Sequence, residues 1–156
     1  MSTPSHLALD YVQLVQSPNK QSLFLPIKML SEKTTKPVAI TALIDSGAQG
    51  NFISHKLVEK HNLHRKSLPK PIPLGNVDGT PNKHGDITEY VNTKVVIDER
   101  QCQIKAFVTD TGKRDMILGY PWLEKYNPDI NWTTKIFSWK QNPTPQKFID
   151  LLHSMQ

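Results

Sequence analysis

The sequence predicts a mostly β domain built to deliver one carboxylate, Asp45, into a tight polar turn. Stretches 22–30, 38–44, 88–97 and 101–109 are either continuously apolar or alternate apolar with polar residues, the two signatures of strands. Twelve prolines against seven glycines interrupt the chain too often for long helices and suit irregular connections. The apolar run 38–44 ends in Asp45-Ser46-Gly47-Ala48. A strand this apolar is expected to be buried on both faces, and a carboxylate at its end is costly unless neighbours compensate it. Ser46 offers a hydroxyl to brace the turn, and Gly47 lets backbone N–H groups approach the carboxylate.

The chain has 156 residues, enough for one domain that buries about two thirds of its unfolded surface. Hydrophobic residues make up 37%, a modest share. A net charge of +5 is mildly basic, and alone is weak support for a nucleic-acid partner. The single cysteine, Cys102, excludes an internal disulfide, and no Cys/His spacing suggests zinc or another metal. No segment has membrane-spanning length, and the amino terminus lacks a signal-peptide pattern. A soluble, reducing compartment follows as the expectation.

Residues 1–20 read as a leader or linker. Leu7, Ala8, Tyr11, Val12 and Val15 fit one helix face after Ser5, while Leu7-Leu9-Tyr11 also alternates like a strand. In 22–30, Leu23, Leu25 and Ile27 alternate, and Pro26 points to an edge position or a bulge. A polar connection, 32–37, leads into the strand 38–44. Ser54 then starts a short helix, 55–62, with Leu57 and Val58 inward. The Lys56, Lys60, Arg65 and Lys66 cluster, with His55, His61 and His64, reads as a solvated helix face and exit loop. His55 and His61 are too far out of phase to be ligands on one helix face.

Prolines alternate through 68–73, so that stretch is extended and excluded from a central strand. Residues 74–87 are rich in turn-formers, with Gly75, Gly79 and Gly85 as hinges. Two strands follow, 88–97 and 101–109, joined by the turn Asp98-Glu99-Arg100. Val91, Val95 and Ile97 share one face, and Cys102, Ile104, Ala106 and Val108 alternate on the partner. Cys102 reads as a small core residue rather than a reactive thiol. Pro121 opens a short helix that Asn127-Pro128 ends. Trp122, Trp132 and Trp139 read as core or interface anchors. Residues 141–156 read as a helical extension or linker in which Phe148, Ile149, Leu152 and Met155 form an apolar stripe. That stripe fits packing on the domain, subunit pairing, or the start of a further segment.

Two motifs carry a family resemblance. The run A-L-I-D-S-G-A-x-x-N-F-I around Asp45 resembles the active-site loop of retropepsins, the retroviral-type aspartic proteases, and most of all those of gypsy-class LTR retrotransposons. Ile117-Leu118-Gly119 resembles the apolar-apolar-Gly element that runs beside that loop, and I-L-G-Y-P-W-L with N-P-x-I-x-W is similar to the gypsy-class branch. The resemblance covers about residues 22–140, with the protease domain expected at 21–140. It implies a retropepsin-like acid-protease fold: a closed β-barrel half-lobe, a flap hairpin, and one or two short helices. Trp132 and the strand 136–139 would close its sheet. Gly119 would permit close backbone passage by the active loop. Val77-Asp78-Gly79-Thr80 would form the flap tip, where residue pattern alone fits an ordinary surface hairpin equally well. Two departures stand out: Asp45 and Gly119 are farther apart than in compact viral enzymes, and a carboxyl-terminal interface strand is not evident.

Asp110-Thr111-Gly112 spells the alternative aspartic-protease triplet. It lies 65 positions after Asp45, too close for a separate lobe, and is followed by charged residues. It reads as a polar turn. With one convincing loop per chain, the resemblance implies a homodimer in which two Asp45 residues meet on a twofold axis and share one proton, as is established for aspartic proteases as a class. The dyad would activate water against an extended peptide, with no cofactor or metal. The expected substrate is a Gag–Pol-type polyprotein, and the expected location a cytoplasmic retrotransposon particle. The alternative is a silent, domesticated module of the same fold kept for dimerisation or binding. A nucleic-acid role lacks zinc knuckles and interleaved aromatics, and is not expected of this domain.

Overall fold

The computed structural model describes residues 12–13, 22–30, 36–75 and 85–140. Its strands are β1 (Val12–Gln13), β2 (Ser22–Leu30), β3 (Val38–Asp45), β4 (Phe52–Ser54), β5 (Lys66–Ile72), β6 (Leu74–Gly75), β7 (Ile87–Ile97), β8 (Arg100–Thr109), β9 (Met116–Leu118), β10 (Asp129–Asn131) and β11 (Ile136–Ser138). Two short helices, α1 (His55–Lys60) and α2 (Tyr120–Tyr126), complete the described elements. The mostly β expectation holds.

One sheet runs β2-β3-β9-β4-β8-β7-β5, and β2 also pairs with β7. That extra pairing closes six strands into a barrel and leaves β5 outside as an edge. Pro69 and Pro71 within β5 explain this placement, because each removes a ladder donor and an edge strand tolerates the loss. Pro26 obeys the same rule. It pairs with Thr41 on one side, while β7 reaches only Lys28, Met29 and Leu30 on the other.

β3 is buried on both faces only in its second half, Ala42–Asp45; in its first half Ala39 and Thr41 are exposed, so the expected double burial of the whole run is not met. Ala42 and Ile44 enter the barrel interior with Met29, Ile53, Val95 and Leu118, while Leu43 turns to a second cluster with Ala48, Phe52, Leu74, Ile87 and Ile117. Removing each of these side chains other than the two alanines from water contributes about 1.5–3 kcal/mol. Because consecutive residues of β3, β4 and β9 feed alternate clusters, a one-residue slip in register would exchange the clusters' contents. Register is therefore strongly specified.

The β7–β8 hairpin turns through two residues, not three. Asp98 and Glu99 both have positive φ, 44° and 68°, and Ile97 pairs directly with Arg100. This is the backbone twist that right-twisted strands need in a two-residue loop, so Arg100 is a strand residue. The α1 helix is also shorter than its apolar pattern suggested. Ser54 caps it by accepting from the Leu57 N–H at 3.4 Å, and it ends at Lys60, with Asn62 in the left-handed region at φ 49°. Leu57 and Val58 do face inward, and Cys102 is buried.

The carboxyl-terminal expectation needs correction. β10 and β11 form their own antiparallel pair and add no strand to the main sheet. Their link to the barrel runs through side chains. Trp139 Nε1 donates to the Ile97 carbonyl at 2.8 Å, and Lys135 Nζ donates to the Ser22 carbonyl at 2.6 Å. Trp139 and Phe137 pack on buried Trp122, with ring centroids 5.9 and 6.3 Å away. Aromatic packing, not ladder pairing, covers the open end of the barrel. The proposed flap tip, Val77 to Thr80, and the stripe in 141–156 lie outside the described residues, as does the leader apart from β1, which pairs in parallel with β6.

Candidate active site

Asp45 is the last residue of β3, opposite Ser22 of β2, one step beyond the Ile44–Leu118 pair with β9. Two flanking strands thus fix its backbone. The chain then reverses, with the Ala48 N–H donating to the Asp45 carbonyl at 3.2 Å. The Gly47 N–H donates to Asp45 Oδ1 at 2.8 Å. The other carboxylate oxygen, Oδ2, is buried and has no hydrogen-bond partner among the described residues. Asp45 as a whole is 0% exposed in the single chain, whereas Gly47 at the turn's tip is exposed and Ser46 partly so.

Burial pushes the Asp45 carboxyl above its ordinary value, because the charged form loses water. The Gly47 N–H and then the positive charge of Arg114 oppose that rise. One oxygen is thus braced by a backbone donor, and the other is left unpaired in a site that favours a bound proton.

Ile117 pairs with Leu43 and Phe52 and Leu118 with Ile44, while Gly119 passes directly against the Asp45 turn. A Cβ built on Gly119 would lie 2.3 Å from the Gly50 carbonyl oxygen and 2.5 Å from that of Ala48, so only glycine fits. The Tyr120 N–H donates to the Ala48 carbonyl at 2.9 Å, tying the loop to the start of α2.

Sequence reasoning gave no site role to two residues. Asn51 Oδ1 accepts from the Gly119 N–H at 3.0 Å, while its own carbonyl accepts from Phe107 N–H at 2.8 Å. One residue thereby joins the loop, β8 and the β9–α2 junction. Its signal was present in the Asn51-Phe52-Ile53 part of the motif. Arg114 is the second, a cation acting on Asp45 from the turn before β9. Nothing in the Lys113-Arg114-Asp115 run distinguished it from a solvated loop.

Asp110 is the instructive comparison. Its Oδ1 accepts from the Gly112 N–H at 2.8 Å, the same local bond that Asp45 makes with Gly47, yet Asp110 is exposed. Asp-x-Gly produces the turn in both places, and only the buried strand before Asp45 changes its chemistry. Among the described residues no group of His, Cys, Asp and Glu could hold a metal ion, and no helix is long and apolar enough to cross a membrane.

The retroviral protease-like domain of Ddi1 from Leishmania major resembles this chain with a TM-score of 0.50 at 15% identity, over 77% of this chain and 86% of that one. The EIAV protease, solved with an inhibitor, gives a TM-score of 0.51 at 12% identity, over 75% of this chain and 99% of that one. These likenesses show the shared fold. A family model describing the PEG10/RTL1 protease domain matches residues 41–146, a span containing the Asp45 turn, Asn51, Arg114 and Gly119. The chain belongs to this PEG10/RTL1 protease-domain family, with a retropepsin-like fold.

Proposed function

We propose that the protein is an aspartic endopeptidase whose reaction centre forms when two copies bring their Asp45 residues together. The observation that carries this reading is the buried, unpartnered Oδ2 of Asp45 beside a backbone-braced Oδ1. An unpaired buried carboxylate oxygen is costly, and a second carboxyl sharing one proton would offset that cost. In such a dyad the ionised oxygen takes a proton from water, the water attacks the scissile carbonyl, and the protonated carboxyl hydrogen-bonds the carbonyl oxygen. An extended peptide would lie above the two loops under the flap tip at Val77, Asp78, Gly79 and Thr80, aligned by backbone hydrogen bonds. A Gag–Pol-type polyprotein in a cytoplasmic particle is the substrate and setting this reading expects. Asp45→Asn should abolish cleavage of a Gag-like precursor and Asp110→Asn should leave it intact; the reverse pattern rejects the assignment.

Complete burial of Asp45 in the single chain favours a second reading, a silent module of the same fold retained for binding. It predicts no hydrolysis at any pH or protein concentration. A single defined, Asp45-dependent turnover removes it.

A further inference from the structure

A concave site lies away from Asp45, and none of its lining residues belongs to the Asp45 turn or to Ile117, Leu118 and Gly119. It is a cleft of about 760 Å³ formed by the end of β2, the exit from α1, the start of β5, the middles of β7 and β8, and one residue of α2. That volume is in the range that holds small ligands. Lys66, Lys94, Lys105 and Lys125 line it together with His64, and no carboxylate does. Among the described residues, none of these lysines takes part in an ion pair. All four are exposed, so water screens much of their mutual repulsion, and they leave the cleft with a positive potential that favours an anion.

Two of the ammonium groups are held by aromatic rings. Lys105 Nζ sits 4.5 Å from the Tyr90 ring centre and Lys125 Nζ 5.3 Å from that of Tyr126. Tyr126 is itself fixed, accepting from the Gln103 N–H at 2.8 Å. Positioning charges before binding reduces the ordering cost of binding.

We propose that this cleft binds a small phosphate-bearing anion of the polyphosphate or nucleotide-phosphate class. Lysines meet the phosphate oxygens, and the side-chain amides of Asn62, Asn92 and Gln103 supply neutral donors. The cleft presents no row of free aromatic faces on which successive bases would stack, which favours a compact anion over a nucleic-acid strand.

The test is calorimetric titration of the full chain with sodium tripolyphosphate. Saturable binding is expected, weakened about tenfold in the Lys66→Gln/Lys94→Gln double variant, since charge-assisted bonds to the anion are lost. The Lys56→Gln/Lys70→Gln variant removes the same charge outside the cleft and should change affinity less than about twofold. Equal weakening by both lysine pairs, or titration without saturation, overturns the proposal by showing diffuse attraction to a basic protein. A single-stranded oligonucleotide of matched phosphate count is the second arm. It should be displaced by tripolyphosphate, and an oligonucleotide that resists displacement overturns the small-anion assignment.

Discussion

Gly119 and Ala48 lie so close that a Cβ on Gly119 would sit 2.5 Å from the Ala48 carbonyl oxygen. The same carbonyl accepts from the Tyr120 N–H at 2.9 Å, so the two segments cannot separate to make room without breaking that bond. Gly119→Ala should therefore destabilise the fold by about 3 kcal/mol, the upper end of what overpacking typically costs, because the neighbours are backbone atoms. Urea unfolding monitored by tryptophan fluorescence measures it. A loss under about 1 kcal/mol would show that the loop yields easily, contrary to the contact geometry.

Asn51 reaches the same junction from its side chain. Replacing it by Ala leaves the Gly119 N–H, at a buried glycine, without its 3.0 Å acceptor. A buried donor left unpaired costs about 1–3 kcal/mol. Asn51→Asp keeps an oxygen in place and should cost less than Asn51→Ala. If the two variants unfold at the same urea concentration, the side-chain oxygen is not what holds the junction.

How far these relationships were legible in the sequence depends on how local their causes are. The Asp45 turn, the doubly buried end of the strand before it and the edge position of the proline-rich strand follow from neighbouring residues alone. Gly119 was legible because a family motif marks it; its reason, two carbonyl oxygens some seventy positions earlier in the chain, is a tertiary fact. The separate β10–β11 pair was not legible, since Trp139 binds Ile97 through its side chain and leaves no strand-pairing pattern. Arg114 and the lysine cleft escaped for the same reason. Charged residues scattered over several elements look like ordinary solvated surface until the barrel closes and gathers them.

Burial raises the Asp45 pKa, which fixes the sign of its pH dependence. A carboxyl whose folded pKa exceeds its unfolded value favours folding while protonated, and that contribution is lost as pH rises through the folded pKa. Asp45→Asn stays neutral throughout. The variant should thus match the parent protein's Tm in acid and exceed it increasingly as pH rises toward neutrality. Thermal unfolding of the two proteins across that range checks this. A difference that shrinks with rising pH would mean that the ionised carboxylate is the form the fold prefers.

Arg114 opposes the effect of burial on Asp45 by its positive charge, while its own buried Nε finds no partner among the described residues. Removing the charge should raise the Asp45 pKa further, because one of the two influences holding it down disappears. Arg114→Met is the direct variant, and Arg114→Lys keeps a cation there and should restore most of the original value. Carbon NMR of labelled aspartate carboxyls follows the ionisation without requiring catalysis. In a cleavage assay the acidic limb of the pH profile should move the same way, toward higher pH in the methionine variant and back in the lysine variant. If Met and Lys variants titrate alike, Arg114 acts on the loop by shape and not by charge. If neither differs from the parent protein, the Asp45 environment is set by burial and the Gly47 N–H alone.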